Sequence, residues 1–172
     1  MTGARPHLIY QKYGDWEGNI RTFEKLSQNF KVALVSAQRR EAFAIKKRLL
    51  DHVNAQDLGW PERQPKTISG DSRILVDTGQ LISAIQVHTL GSGMTVLVGI
   101  LKGISHNKSR ADLVDIMSYH EYGTINMVER PLFTPTLAEI GGPEGIKLRL
   151  VAALSAYFYK VTRGSDWKLE IL

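Results

Sequence analysis

Apolar residues recur at helical spacing over residues 15–55, at Ile20, Phe23, Leu26, Phe30, Leu34, Ala37, Ile45, Leu49 and Val53. Most steps are three or four residues, the repeat that lines up side chains on one helix face. Asp15 stands where an N-cap carboxylate would accept from the free N–H groups of the first turn. The pattern loses phase near Glu41, so the stretch reads either as one long helix or as two in series. It is longer than an ordinary globular helix, which suggests that partner chains cover its second half.

Beyond it, Gly59, Pro61, Pro65 and Gly70 mark a loop over residues 59–71. Asp77 and Gln80 have capping-box spacing and predict the start of a short helix. Two alternating runs follow. Ile85 and Val87 share one face of residues 85–90, and Met94, Val96, Val98 and Ile100 share one face of residues 94–100. Gly91-Ser92-Gly93 between them reads as a hairpin turn. Residues 101–110 are polar and basic, an exposed loop. Ser109 and Asp112 again have capping-box spacing, ahead of a helix through Leu113, Ile116 and Met117 to about Tyr122, with Gly123 placed to stop it.

Residues 128–133 read as a further extended segment. Thr134-Pro135 reads as an N-cap followed by proline in the first turn, where its missing N–H costs little. Gly141-Gly142 breaks that helix and Pro143 opens the last one. Its apolar stripe is Ile146, Leu150, Val151, Leu154, Tyr157, Phe158 and Val161, and Gly164 closes it. The order predicts an α+β fold: a small, mainly antiparallel sheet with a long N-terminal helix and a C-terminal helix packed on it. The edges of so small a sheet invite pairing between chains.

The 172 residues suit one domain. It divides into an arm and long helix (1–56), a loop (57–73), a core (74–163) and a tail (164–172) that docks on the sheet or on a neighbour. Near the start, Tyr10, Tyr13 and Trp16 are suited to packing on a partner. There is no cysteine, which excludes disulfides, cysteine-ligated zinc and a thiol nucleophile. No apolar run approaches the roughly 18 residues needed to span a bilayer. No basic-then-apolar leader pattern opens the chain, so it reads as cytosolic when made. The net charge of +5 is compatible with DNA, with an acidic protein partner, or with nothing specific.

Candidate chemistry is thin. His120-Glu121 resembles half of a zinc-hydrolase helix, but the second histidine one turn on is replaced by Thr124. His120 in the last turn of a helix is explained by the helix dipole. Neither Ser83 nor Ser118 sits in a nucleophile elbow. The glycine-rich stretches 91–93 and 141–145 lack the lysine and hydroxyl of a phosphate loop. Arg39, Arg40, Lys46, Lys47 and Arg48 form a basic cluster that would meet DNA phosphates, or acids on a neighbouring subunit, or simply water. Asp77, Asp112, Asp115 and Glu121 could be imagined as a nuclease carboxylate set, but they serve more simply as caps and surface charges. No cofactor or metal is expected, and no catalytic residue.

Three stretches carry more information in their order. Leu75-Val76-Asp77-Thr78-Gly79-Gln80-Leu81-Ile82-Ser83-Ala84-Ile85 comes first, with the hairpin-strand pair Val98-Gly99 between it and the second. Tyr119-His120-Glu121-Tyr122-Gly123-Thr124 is the second, and Glu129-Arg130-Pro131-Leu132-Phe133-Thr134-Pro135-Thr136-Leu137 the third. Together, over about residues 74–159, they resemble the neck and tail-completion proteins of tailed bacteriophages, a virion-morphogenesis or minor-tail family. The sequence departs from that pattern at Ala84, where serine is usual, and in having Leu132 between Arg130-Pro131 and Phe133.

The resemblance implies a non-enzymatic structural protein of the virion, made in the host cytoplasm. It would be a homo-oligomeric ring, hexamer or dodecamer, between the portal-side connector or head-closure protein and the tail tube or tail terminator, with DNA passing through without sequence-specific binding. The motif residues with structural roles would be Asp77, Gly79, Leu81, His120, Glu121, Gly123, Arg130 and Pro131. Arg39, Arg40, Lys46, Arg130 and Phe133 are candidate intersubunit or partner contacts. Arg130 would brace its segment by pairing with a carboxylate such as Glu121 or Asp77. The alternatives are a tail terminator and, from another class, a DNA-binding packaging accessory protein.

Overall fold

The computed structural model describes Gly14 and residues 16–62, 73–91 and 94–163. In chain order the elements are α1 (Trp16–Ala55), α2 (Gln80–Ser83), β1 (Gln86–Leu90), β2 (Thr95–Gly99), α3 (Leu113–Tyr122), α4 (Phe133–Glu139) and α5 (Gly142–Arg163). The fold is α+β, with a two-stranded antiparallel sheet.

α1 runs unbroken for 40 residues. The loss of phase at Glu41 has a tertiary cause. Its carboxylate sits at the edge of the buried face and accepts from Arg149 Nε of α5 at 2.6 Å, so a polar side chain is satisfied where an apolar one would otherwise stand. The half of α1 that the chain itself covers is the second, where Ala37, Ala42, Leu49 and Val53 are buried. The first half is the one left open, with Ile20 and Phe23 exposed, which reverses the expectation for partner coverage. α5 runs back along α1 and against α4, and Phe158 stacks on Phe30 with ring centroids 5.8 Å apart.

β1 and β2 pair from Gln86↔Gly99 to Leu90↔Thr95, close to the expected hairpin. Of its turn, Ser92 and Gly93 lie outside the described residues, as do Asp15, Gly164 and residues 165–172. Residues 128–133 do not join the sheet. Three of their five N–H groups are committed elsewhere: Arg130 N donates to the His120 carbonyl at 2.6 Å, and Leu132 N and Phe133 N donate to the Glu121 carboxylate. A segment whose donors already have partners cannot build a ladder.

Three helix starts also differ from expectation. Gly79, at φ 71°, holds the N-cap place of α2 with no side-chain cap. Asp77 is therefore not the cap, and Gln80 turns instead to the 105–107 loop, donating to Ser105 O and accepting from Asn107 N at 3.0 Å each. Asp112, not Ser109, caps α3. Its carboxylate accepts from Val114 N at 3.0 Å and Gly103 N at 2.6 Å. These two backbone donors hold the Asp112 carboxyl below its ordinary pKa. α4 begins at Phe133, ahead of Thr134-Pro135, because its cap comes from a distant residue, Glu121.

The core lies where the second half of α1 meets the region between Trp60 and Leu132. Leu49, Val53, Trp60, Leu75, Leu81, Ile85, Leu113, Met117 and Leu132 form one buried cluster. A leucine or isoleucine as fully enclosed as Leu49, Ile85, Leu113 or Leu132 contributes about 1.5–3 kcal/mol by leaving water.

Candidate functional site

Glu121 is the centre of the region that joins the sequence motifs. It is only 8% exposed. One carboxylate oxygen accepts from Leu132 N at 2.8 Å and Phe133 N at 3.0 Å, and the other from Thr134 N at 2.7 Å. These are the free donors of the first turn of α4, where a negative charge also meets the positive end of the helix dipole. Burial pushes the Glu121 carboxyl up, but the hydrogen bonds from Thr134, Leu132 and Phe133 together outweigh it and hold the pKa below the ordinary glutamate value. The acid of the second motif is thus a helix cap for the third, supplied from eleven to thirteen residues away.

The chain between them is arranged for this bond. Gly123 follows α3 at φ 71°, and a Cβ there would sit 3.1 Å from Met127 O and 3.3 Å from Glu129 N. Only glycine allows both the conformation and the close approach. The turn closes through a backbone bond from Thr124 N to Met127 O at 2.9 Å. At the other end, Thr136 Oγ1 donates back to Leu132 O at 2.6 Å.

Arg130 does not pair with Glu121. Its Nε donates to Pro61 O at 3.1 Å and its Nη2 to Glu62 O at 3.3 Å. Trp60 crosses the same junction, with Nε1 donating to Pro131 O at 2.7 Å. Guanidinium and indole therefore lace the segment after α1 onto the Arg-Pro segment. Asp77 is also not the partner of Arg130; it lies 4.0 Å from Lys108 Nζ.

The three motifs converge around one cleft of about 250 Å³. Asp77, Thr78 and Gly79 come from the first motif, His120 from the second and Arg130 from the third, with His106 across from them. Leu81 forms its apolar wall and belongs to the core. Pro131 holds its segment through its carbonyl. Of the motif residues, Glu121, Gly123, Arg130 and Pro131 are thus parts of a single brace, and Asp77, Gly79, Leu81 and His120 line the cleft beside it. No group of three or more His, Asp or Glu side chains is gathered for a metal ion among the described residues.

The candidate contact residues divide. Arg39 and Arg40 are exposed on α1. Lys46 Nζ donates to Gln86 Oε1 of β1 at 2.7 Å, Lys47 pairs with Asp51 at 2.6 Å, and Arg48 pairs with Glu139 of α4. The basic cluster is thus partly consumed within the chain. Phe133 is half-buried and packs against the core, and Arg130 is committed to the brace. Phe43, exposed amid the basic residues, escaped the sequence reading.

A second polar cluster also escaped it. His52 is buried on α1, with Nδ1 2.7 Å from Asp57 Oδ1 and Nε2 2.8 Å from Glu139 Oε2. His52 holds the Asp57 carboxyl below its ordinary value, and Arg48 first, then His52, does the same for Glu139. The only local signal was the five-residue spacing of His52 and Asp57; Glu139 lies 87 positions on.

No helix among the described residues is long and apolar enough to cross a membrane. Compared with protein-family models, with curated proteins and with solved structures, the chain matches none.

Proposed function

We propose that this chain is a structural component of a tailed-phage virion, a self-assembling ring at the neck or head-proximal end of the tail that completes the tail and joins it to the head. It works by binding, without catalysis. The observation that carries this reading is the apolar surface left in solvent around a well-braced core. Phe23 is 70% exposed on the first half of α1, Leu148 is 66% exposed on α5, and Tyr122 and Ile125 stand out beside the brace. Apolar surface distributed over a long helical arm and a rim is suited to burial by neighbouring chains. The ordered motifs support the same reading, because Glu121, Gly123 and Arg130 are used in architecture.

The test is negative-stain microscopy of lysates from a phage carrying a nonsense mutation in this gene. DNA-filled heads beside separate tails of normal length are the expected result. Tails of irregular, excessive length would assign the chain to tail termination, and complete infectious particles would overturn the structural reading.

A further inference from the structure

Among the described residues no strand pairs with the second edge of β2, and a groove of about 370 Å³ lies beside it. Four consecutive residues, Leu97, Val98, Gly99 and Ile100, line it. Successive side chains of a strand point to opposite faces, so a groove touched by four in a row follows the strand's edge. β1 occupies the other edge of β2. The far wall sets apolar Met117 and Tyr122 of α3 and Phe133 and Leu137 of α4 among polar Ser118, Thr134 and the capping Glu121. A free strand edge beside such a trough is what an added strand needs: main-chain partners on one side and a place for alternate side chains on the other.

The chain carries a segment of matching pattern. In Asp166-Trp167-Lys168-Leu169-Glu170-Ile171, apolar and charged residues alternate strictly, so one face of an extended conformation is Trp167, Leu169 and Ile171. We infer that residues 166–171 of one copy add as a strand to the β2 edge of a second copy, with those three apolar side chains in the groove.

Reach makes the contact intermolecular. α5 runs antiparallel to α1, with Arg149 beside Glu41 and Phe158 beside Phe30. Val96 and Val98 of β2 share a cleft with Gln38, Ala42, Ile45 and Leu49 of α1. At 1.5 Å per residue, the end of α5 at Arg163 therefore lies roughly 25–30 Å along α1 from the chain's own β2. The four residues from Gly164 to Trp167 span at most about 14 Å. Trp167 cannot reach its own groove, so the groove it would fill belongs to a second copy. A tail-to-groove contact is head-to-tail, the kind that closes into a ring when the rotation per copy allows. The inference rests on the self-assembly part of the proposed function and gives it a mechanism.

Because the chain has no cysteine, disulfide trapping reads the contact directly. Full-length Leu97→Cys protein is mixed with full-length protein carrying one cysteine at Trp167, Lys168, Leu169, Glu170 or Ile171, and the mixture is gently oxidised. The expected yield of covalent heterodimer alternates, several-fold higher from Trp167→Cys, Leu169→Cys and Ile171→Cys than from Lys168→Cys and Glu170→Cys. An excess of synthetic peptide spanning residues 165–172 abolishes it. Of two peptides N-methylated at odd or at even positions, only one competes, since a strand offers alternate N–H groups to each edge. A flat yield across the five positions, or equal competition by both methylated peptides, overturns strand addition. No heterodimer at any position overturns the tail contact altogether. The lysate micrographs decide the neck reading separately, so separated heads and tails with no trapped heterodimer would sink only the strand.

Discussion

The brace around Glu121 and the arm formed by the first half of α1 with α5 are built on opposite terms. In the brace, polar groups that water would otherwise serve are closed on one another: three N–H groups on one carboxylate, a guanidinium on two carbonyls, an indole on a third. On the arm, regular helix is formed but its apolar residues remain largely in solvent, and Phe30 on Phe158 is its aromatic stack. The brace fixes the fold of one chain, whereas the arm has surface to give to another. A motif can therefore be spent entirely on architecture while much of the exposed apolar surface lies in stretches with no motif at all.

Substitutions should separate the two regions. The largest loss of stability is expected from Glu121→Ala, which leaves three buried or part-buried N–H groups without their acceptor. About 3 kcal/mol or more should disappear from the urea unfolding free energy. Because the Glu121 pKa is lowered on folding, its contribution is complete above the ordinary carboxylate range and is lost as pH falls through the lower folded value. Asp57, Asp112 and Glu139 are lowered likewise and add to the same acid limb. A Glu121→Gln chain should show a shallower fall in urea midpoint on acidification. An unchanged slope would mean that the carboxylate is not the cap we describe.

Gly123→Ala should cost less, about 1–2 kcal/mol, from a left-handed conformation with a methyl group pressed on Met127 O and Glu129 N. A thermal unfolding midpoint equal to that of the parent chain would show that the turn relaxes freely. The smallest effect on the isolated chain is expected on the arm. Phe23→Ser should change unfolding free energy by no more than about 0.5 kcal/mol, yet reduce self-association measured by sedimentation velocity. If instead it unfolds the chain, the arm belongs to the core and the contrast between the two regions fails.

Much of the local structure was legible without coordinates. The spacing of Ile20, Leu34, Leu49 and Val53 fixed α1, alternation fixed the hairpin, and Gly123 marked the end of α3, because these depend on periodicity and on φ angles that neighbouring residues dictate. The caps were less legible. Asp77 and Ser109 had the right spacing, but capping depends on where a side chain can turn, and Gly79 and Asp112 took those places. The third strand failed for a similar reason: residues 128–133 have the composition of an extended segment, but whether an extended segment pairs depends on whether its N–H groups are already taken.

What sequence by itself determined was the helices, the hairpin and the fold class, since helical and strand periods are properties of neighbours along the chain. Only tertiary structure decided their partners: Glu121 with the start of α4, Arg130 with Pro61 and Glu62, His52 with Asp57 and Glu139. It also decided which half of α1 is covered. Apolar spacing reports that a face is to be buried but not by what, because burial is a relation between surfaces brought together by the whole fold.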